Sequence, residues 1–178
     1  MISVYGNLID NEVNIRKQEN FQRYNRLIQW GRKHPTRFIE KILGIQLLDY
    51  QKWIVMGTWT AEKAAWVCSR NAGKTFLGAV YLMTKAILFP QFKINIMNVS
   101  GRQSFDTFMK IEDIAKKNIA SLLNTTDVFF DELIKSNANT DGFTHNQKGY
   151  ECNLYNGSQI RALVGKPETV VGVRSNIN

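Results

Sequence analysis

Apolar side chains recur at three- and four-residue intervals in five stretches of the chain, which is the spacing of one face of an α-helix. The first stretch is polar and ends at His34-Pro35, because the residue before a proline avoids helical backbone angles. The second is short, with Thr36 as its cap and Gly44 as its stop. The predicted helices cover residues 12–32, 36–43, 48–59, 76–88 and 103–123. In the last of them the face directed to a core is predicted to hold Phe105, Phe108, Met109, Ile114, Ala115, Ile119 and Leu122.

Two short apolar runs flank the fourth helix and predict strands. Residues 64–68 (AAWVC) precede it, and residues 93–99 (KINIMNV) follow it. Strands that alternate with helices favour a parallel sheet in an α/β fold. Further on, Asn156-Gly157 separates two strand-like runs, 150–155 and 159–164, and predicts a β-hairpin. The polar residues 136–149 are predicted to form a loop.

The composition is that of one ordinary globular domain. The chain has 178 residues, of which 44% are hydrophobic and 21% are charged, and two cysteines are too few for a disulfide scaffold. The first residues form no secretory signal. No run of 18 apolar residues is present, so we expect no membrane partner.

The net charge of +8 lies entirely in the first hundred residues, since residues 101–178 hold equal numbers of acidic and basic side chains. A basic domain suits a polyanionic partner, most simply nucleic acid. A basic but merely solvated surface is the alternative, and composition alone does not choose between them.

The sharpest motif is Gly73-Lys74-Thr75, which falls between a predicted strand and a predicted helix. A triphosphate needs inward-pointing backbone N–H groups, a glycine that allows close approach, one cation and a hydroxyl for Mg²⁺. Lys74 would reach the β- and γ-phosphates, Thr75 would ligate Mg²⁺, and the helix would direct its positive end at the anion. We therefore predict ATP and Mg²⁺ as ligands, and an ordinary turn with an exposed lysine is the alternative. The predicted loop residues are Ser69, Arg70, Asn71, Ala72, Gly73, Lys74 and Thr75.

A glutamine lies 23 residues before Lys74. The amide of Gln51 offers both a donor and an acceptor and would pair with adenine N6 and N7. Tyr50 or Trp53 would pack on the purine ring. A surface glutamine on a core helix is the alternative that spacing alone favours.

Together these residues resemble a family. The sequence Leu48-Asp49-Tyr50-Gln51, followed by residues 69–75 (SRNAGKT), looks like the ATPase domain of tailed-bacteriophage terminase large subunits. The first glycine of the usual phosphate loop is replaced here by Cys68; in that family it is commonly missing, and an arginine commonly stands where Arg70 does. The hairpin at 156–163 and the segment 165–174 also resemble the stretch before the family's Walker B strand.

The resemblance implies an organisation and a function. Residues 1–60 would be an N-terminal helical segment carrying the adenine-binding glutamine, and residues 61–178 a truncated RecA-like P-loop core with a parallel-type sheet flanked by helices. The full-length protein would couple ATP hydrolysis to translocation of double-stranded DNA into a capsid. It would work as a homo-oligomeric ring with a portal and a small terminase subunit, in the cytoplasm of an infected bacterial host. Arg70 in cis, or Arg174 from a neighbouring subunit, would act as an arginine finger.

Hydrolysis also requires an apolar strand ending in Asp-Glu. Asp131-Glu132 follows only three apolar residues, and the family places this motif after the segment that contains Arg174, so we interpret the pair as a chance match at the start of a solvated helix. The chain is then expected to be an N-terminal fragment that lacks the Walker B strand and the two-metal nuclease domain. The histidines and cysteines are isolated, and no structural zinc is predicted.

Two other functions stay open at this point. One is a fragment of a helicase or another nucleic-acid translocase, whose glutamine motif and phosphate loop look similar. The other is a nonenzymatic ATP-binding interaction module, which would need no catalytic glutamate.

Overall fold

A computed structural model describes residues 19, 21–98, 101–120, 127–137, 139–146 and 149–164. The chain divides into two compact units, one ending at His34 and one beginning at Pro35. The described part of the first unit contains helix α1, residues 21–33, which ends where predicted, just before Pro35. Residues 69–75, the predicted phosphate-binding loop, lie in the second unit.

Helices α2 (Pro35–Lys41) and α3 (Asp49–Thr58) precede the loop. The predicted cap of α2 is wrong, because Pro35 is already helical and Thr36 lies inside the helix. Proline suits the first helical position, where its fixed φ fits and its missing N–H is not needed. The third predicted helix is confirmed as α3.

Helix α4 (Lys74–Leu88) confirms the predicted helix and starts two residues earlier. The strand predicted before it is not formed, since the backbone of residues 64–68 is irregular and Val67 is 97% exposed. A strand is stabilised by pairing with a neighbour, and none of the described strands pairs with this segment. The β-branched and aromatic residues of AAWVC therefore lack the contacts that would make them a strand.

Among the described residues, four strands form one sheet in the order β1-β4-β3-β2: β1 (Lys93–Asn98), β2 (Phe143–Asn146), β3 (Gly149–Asn153) and β4 (Gln159–Val164). β1 runs parallel to β4, while β3 pairs antiparallel with both β4 and β2. The α/β class and the hairpin are confirmed, but the sheet is mixed rather than parallel. β2 lies within the region predicted as a loop. The prediction missed this strand because its mostly polar side chains carry no strand signal.

Helix α5 (Gly101–Ala120) lies on the sheet, and the short helix α6 (Asp127–Asp131) lies against α5. Phe108, Ile114 and Ala115 of α5 are buried as predicted. Met109 is 40% exposed, so its core assignment is wrong, and the buried Ile111 takes that role. Phe105 stacks on Tyr150 of β3 at 4.4 Å between ring centroids. Ile119 and Leu122 lie where side chains are not described.

Within the described ranges, no helix is both long enough and apolar enough to cross a membrane.

Candidate functional site

The segment before α4 forms a tight turn. The Ala72 N–H donates to the Ser69 carbonyl at 3.4 Å, and Asn71 and Gly73 both adopt left-handed backbone angles, with φ of 65° and 70°. Glycine adopts this conformation without strain, and asparagine tolerates it better than most residues do. Left-handed residues in such turns direct neighbouring N–H groups into a concavity that suits an anion. The turn thus shares its left-handed residues with anion-binding loops of this kind.

The ammonium of Lys74 spans this turn. Its Nζ donates to the carbonyl of Cys68 at 2.9 Å and to that of Ser69 at 2.8 Å, so the first residue of α4 is tied to the start of the loop. An ammonium has three donors, and these two bonds leave one for a ligand. The side chain is exposed, so an anion can reach it.

The N-terminus of α4 adds to this anion-binding character. The first N–H groups of a helix have no intrahelical carbonyl partner, and the helix dipole places partial positive charge at that end. Thr75, the second residue of α4, is exposed and carries its hydroxyl at this end of the helix. Arg70 is also exposed within the loop. These residues fit a phosphate chain with Mg²⁺, because the donors are cationic or N–H groups and a hydroxyl is available for the metal.

Helix α3 contacts the loop through Tyr50 and Gln51. The Tyr50 hydroxyl donates to the Ala72 carbonyl at 3.0 Å, and Gln51 Nε2 donates to the Tyr50 hydroxyl at 3.4 Å. A Cβ atom added to Gly73 would lie 3.6 Å from Gln51 Nε2. The glutamine predicted from sequence is therefore adjacent in space to Gly73, which follows it by 22 residues in the chain.

The two side chains differ in their exposure. Gln51 is only 5% exposed, and its Oε1 accepts the Leu48 N–H at 3.0 Å. One Nε2 hydrogen and one Oε1 lone pair remain, which is the donor and acceptor pair that adenine would need. Recognition of adenine by Gln51 stays a prediction. Tyr50 is 45% exposed and can offer its ring to a purine, while Trp53, one turn later, is 80% exposed.

The other end of α3 is fixed to α4 by an aromatic cluster. The buried Lys85 Nζ donates to the Trp59 carbonyl at 2.6 Å and lies 4.3 Å from the centroid of the Trp59 ring. The Tyr81 hydroxyl donates to the Thr58 carbonyl at 3.0 Å. Burial lowers the pKa of Lys85 and raises that of Tyr81. Trp66, on the segment that leads into the loop, packs edge-on against Tyr81 at 5.5 Å.

Two further motifs were predicted, around Asp131 and around Arg174. Asp131 is the last residue of α6 and does not end a strand, so the pair does not have the setting of a Walker B motif. Its predicted place at the start of a solvated helix is wrong, because the helix ends there. Arg174 and the segment around it lie outside the described residues.

Sequence reasoning missed a second polar cluster, between α5 and the β2 region. Glu112 is 5% exposed; its carboxylate contacts the His145 ring at 2.8 Å and also accepts a hydrogen bond from Lys116. Lys116 reaches Asp141 at 2.8 Å. The four-residue spacing of Glu112 and Lys116 on a predicted helix could have indicated their ion pair. His145 and Asp141 are distant in sequence, so no local pattern indicates that they join it. Nowhere in the described part of the chain do three His, Cys, Asp or Glu residues form a group that could hold a metal ion.

The chain matches no family model, and a search among curated proteins found no match. The function has to be argued from the loop, the helices that hold it and the charge of the chain.

Proposed function

We propose that this chain is the ATP-binding N-terminal part of a viral DNA-packaging terminase large subunit, built on a RecA-like P-loop core. The observation that carries the proposal is the loop at the head of α4, where Lys74 bridges two loop carbonyls and retains a donor for phosphate. The contact from Tyr50 to Ala72 supports it, because it joins the predicted adenine-binding residues to the predicted phosphate-binding ones.

In this proposal each loop residue has one task. Lys74 neutralises the β- and γ-phosphates, the N–H groups of residues 69–75 hold their oxygens, and Thr75 holds Mg²⁺, which would withdraw charge from the phosphates when bound. Tyr50 packs against the base and Gln51 reads it. Arg70 in cis or Arg174 from a neighbour stabilises the charge that develops during phosphoryl transfer.

We further propose the setting that the resemblance implies. The complete protein forms a homo-oligomeric ring on a portal, works with a small terminase subunit, translocates double-stranded DNA and cuts it with a nuclease domain, in the cytoplasm of an infected bacterial host. The ATPase needs a Walker B strand, which is expected after the segment containing Arg174.

Titration of a fluorescent ATP analogue with Mg²⁺ into the 178-residue chain tests the loop. Lys74→Ala is expected to weaken binding about 10- to 150-fold, the equivalent of losing one or two charged hydrogen bonds. Lys63→Ala is the matched control, because Lys63 is an exposed lysine outside the loop. Equal affinity of Lys74→Ala and wild type would refute the phosphate-binding role.

Base selectivity is tested by competing ATP and GTP against the same analogue. Guanine presents two acceptors where adenine presents a donor and an acceptor, so ATP is expected to compete better. Gln51→Ala should remove the preference, at a cost of about 1–3 kcal/mol for ATP. Equal competition by ATP and GTP in the wild type would exclude Gln51 from base recognition.

The finger assignment requires the full-length protein. Arg174→Ala subunits mixed with Lys74→Ala subunits should recover partial ATPase activity if Arg174 acts in trans, because some interfaces then combine an intact finger with an intact loop. Wild-type turnover by Arg174→Ala alone would end the assignment, and loss that mixing does not rescue would favour Arg70 in cis.

A further inference from the structure

Helix α1 carries a stripe of cations on one face. Arg23, Arg26 and Lys33 are exposed and are separated by three and seven residues, which the 3.6-residue period of a helix brings to the same side. Gln22 and Gln29, both exposed, fall on that side as well. At 1.5 Å per residue the stripe is about 15 Å long. We call these three cations and two amides the basic stripe.

The stripe has few acidic neighbours in sequence. No Asp or Glu occurs between Glu19 and Glu40, so neither Arg26 nor Lys33 has a carboxylate one helical turn away in either direction. In the second unit some basic residues form ion pairs with acidic side chains, as Lys52 does with Glu40 and Lys116 does with Asp141. Like charges one turn apart destabilise a helix, and that cost is removed when a polyanion neutralises them.

We propose that the basic stripe binds the phosphate backbone of double-stranded DNA without reading its sequence. Duplex DNA presents one phosphate charge per about 1.7 Å of its axis, so a stripe of this length faces enough charge to engage all three cations. The glutamine amides add neutral hydrogen bonds to phosphate or sugar oxygens. This surface lies outside the ATP site and does not depend on it, whereas the choice of duplex DNA as its partner rests on the proposed function.

A lipid surface is the competing polyanion, and the opposite side of α1 argues against it. A helix that lies in a membrane interface inserts an apolar face into the lipid. In α1 the apolar side includes Phe21 and Tyr24, which are 66% and 38% exposed in the first half, and then Ile28, which is 7% exposed, and Gly31, which is buried. That side is therefore not available to lipid along the second half of the helix, whereas the basic stripe is.

The test measures binding of the 178-residue chain to a labelled duplex of about 30 base pairs, by fluorescence anisotropy between about 50 and 200 mM salt. The stripe variant replaces Arg23, Arg26 and Lys33 with glutamine. A control variant replaces Lys41, Lys63 and Arg102, three exposed bases outside α1, so both variants lose the same charge. Glutamine supports helices well, and far-UV circular dichroism checks that helix content is unchanged.

Loss of three phosphate contacts should reduce the slope of log affinity against log salt by about 2.7 in the stripe variant. The control variant should change the slope by clearly less. Glu19→Gln removes the acidic side chain one turn before Arg23 and should strengthen binding. A second duplex of unrelated sequence should bind with the same affinity.

Three results would overturn the proposal. They are an equal loss of slope in the two triple variants, a strong preference for one duplex sequence, and stripe-dependent binding to phosphatidylserine vesicles with an unchanged DNA slope. ATP binding, measured separately in the same variants, should be unaffected, so failure here is distinguishable from failure of the phosphate loop.

Discussion

Asn156 connects the β3–β4 turn to the far end of the helix that begins at the phosphate loop. Its Nδ2 donates to the carbonyls of Ala86 at 2.8 Å and Ile87 at 3.1 Å, near the C-terminus of α4. Its Oδ1 accepts the Ser158 N–H at 2.9 Å. Ala86 and Ile87 are 0% and 2% exposed, so water has little access to replace the amide. We predict that Asn156→Ala strongly destabilises the fold.

The magnitude follows from the groups left without partners. A hydrogen bond contributes about 0.5–1.5 kcal/mol net, and a buried partner left unsatisfied costs about 1–3 kcal/mol. Ser158 is 1% exposed, so its N–H also loses a partner that solvent does not readily replace. With two helix carbonyls affected, we expect Asn156→Ala to lower the free energy of unfolding by about 2–4 kcal/mol.

Asn156→Asp sharpens the prediction. The carboxylate keeps the shape and the acceptor for Ser158, but it cannot donate to the two carbonyls and it adds negative charge at the negative end of α4. We expect it to be more destabilising than Asn156→Ala at neutral pH. The difference should shrink in acid, where a protonated aspartic acid regains a donor.

Urea unfolding followed by far-UV circular dichroism measures both variants, with the midpoint shifting and the m-value unchanged. Asn146→Ala is the control, because Asn146 is exposed at the end of β2, and it should cost less than about 0.5 kcal/mol. If Asn156→Ala falls within about 0.5 kcal/mol of that control, the amide does not hold the end of α4 and the reasoning is wrong.

Three further predictions concern the loop and the charged cluster. Cys68 is partly exposed and should react with N-ethylmaleimide, more slowly when ATP is bound. Cys152 is buried, which raises the pKa of its thiol, so it should react only after unfolding. Rapid labelling of both cysteines in the folded chain would contradict the structure. Gly73→Ala should lower the free energy of unfolding by about 1–2 kcal/mol, because its φ of 70° is unfavourable for alanine, while the added Cβ meets no clash that would increase the cost. Urea unfolding measures this, and no loss of stability would disprove the left-handed conformation. Burial acts to raise the pKa of Asp141, but the bonds from Lys116 and from a backbone N–H outweigh it and hold the pKa below 3.8, while the same pair raises the pKa of Lys116 above 10.5. The stabilisation by this pair should therefore be complete between pH 3.8 and 10.5, fading as the pH falls through the lowered pKa of Asp141 or rises through the raised pKa of Lys116; if the stability difference between wild type and Lys116→Met is the same at pH 3 as at pH 7, the pairing is wrong.

The sequence by itself determined the elements whose signals are local. The apolar period of α3 and α4, the apolar run of β1 and the Asn156-Gly157 turn each depend on residues within one element, and each was predicted within a few residues of its observed bounds. The motif of a glycine, a lysine and a hydroxyl before a helix also belongs to this group, because it is read without reference to the rest of the chain, and its binding of phosphate stays a prediction.

Only the tertiary structure decided which distant groups meet. Residues 64–68 look like a strand but pair with none of the described strands, whereas the polar β2 is a strand because β3 offers it hydrogen bonds. Asn156 bonds to a helix end about 70 residues earlier, and Glu112 meets His145 across 33 residues. Pairing and burial of this kind depend on which surfaces pack together, and residue periodicity reports only that a face is apolar or polar, not which partner it finds.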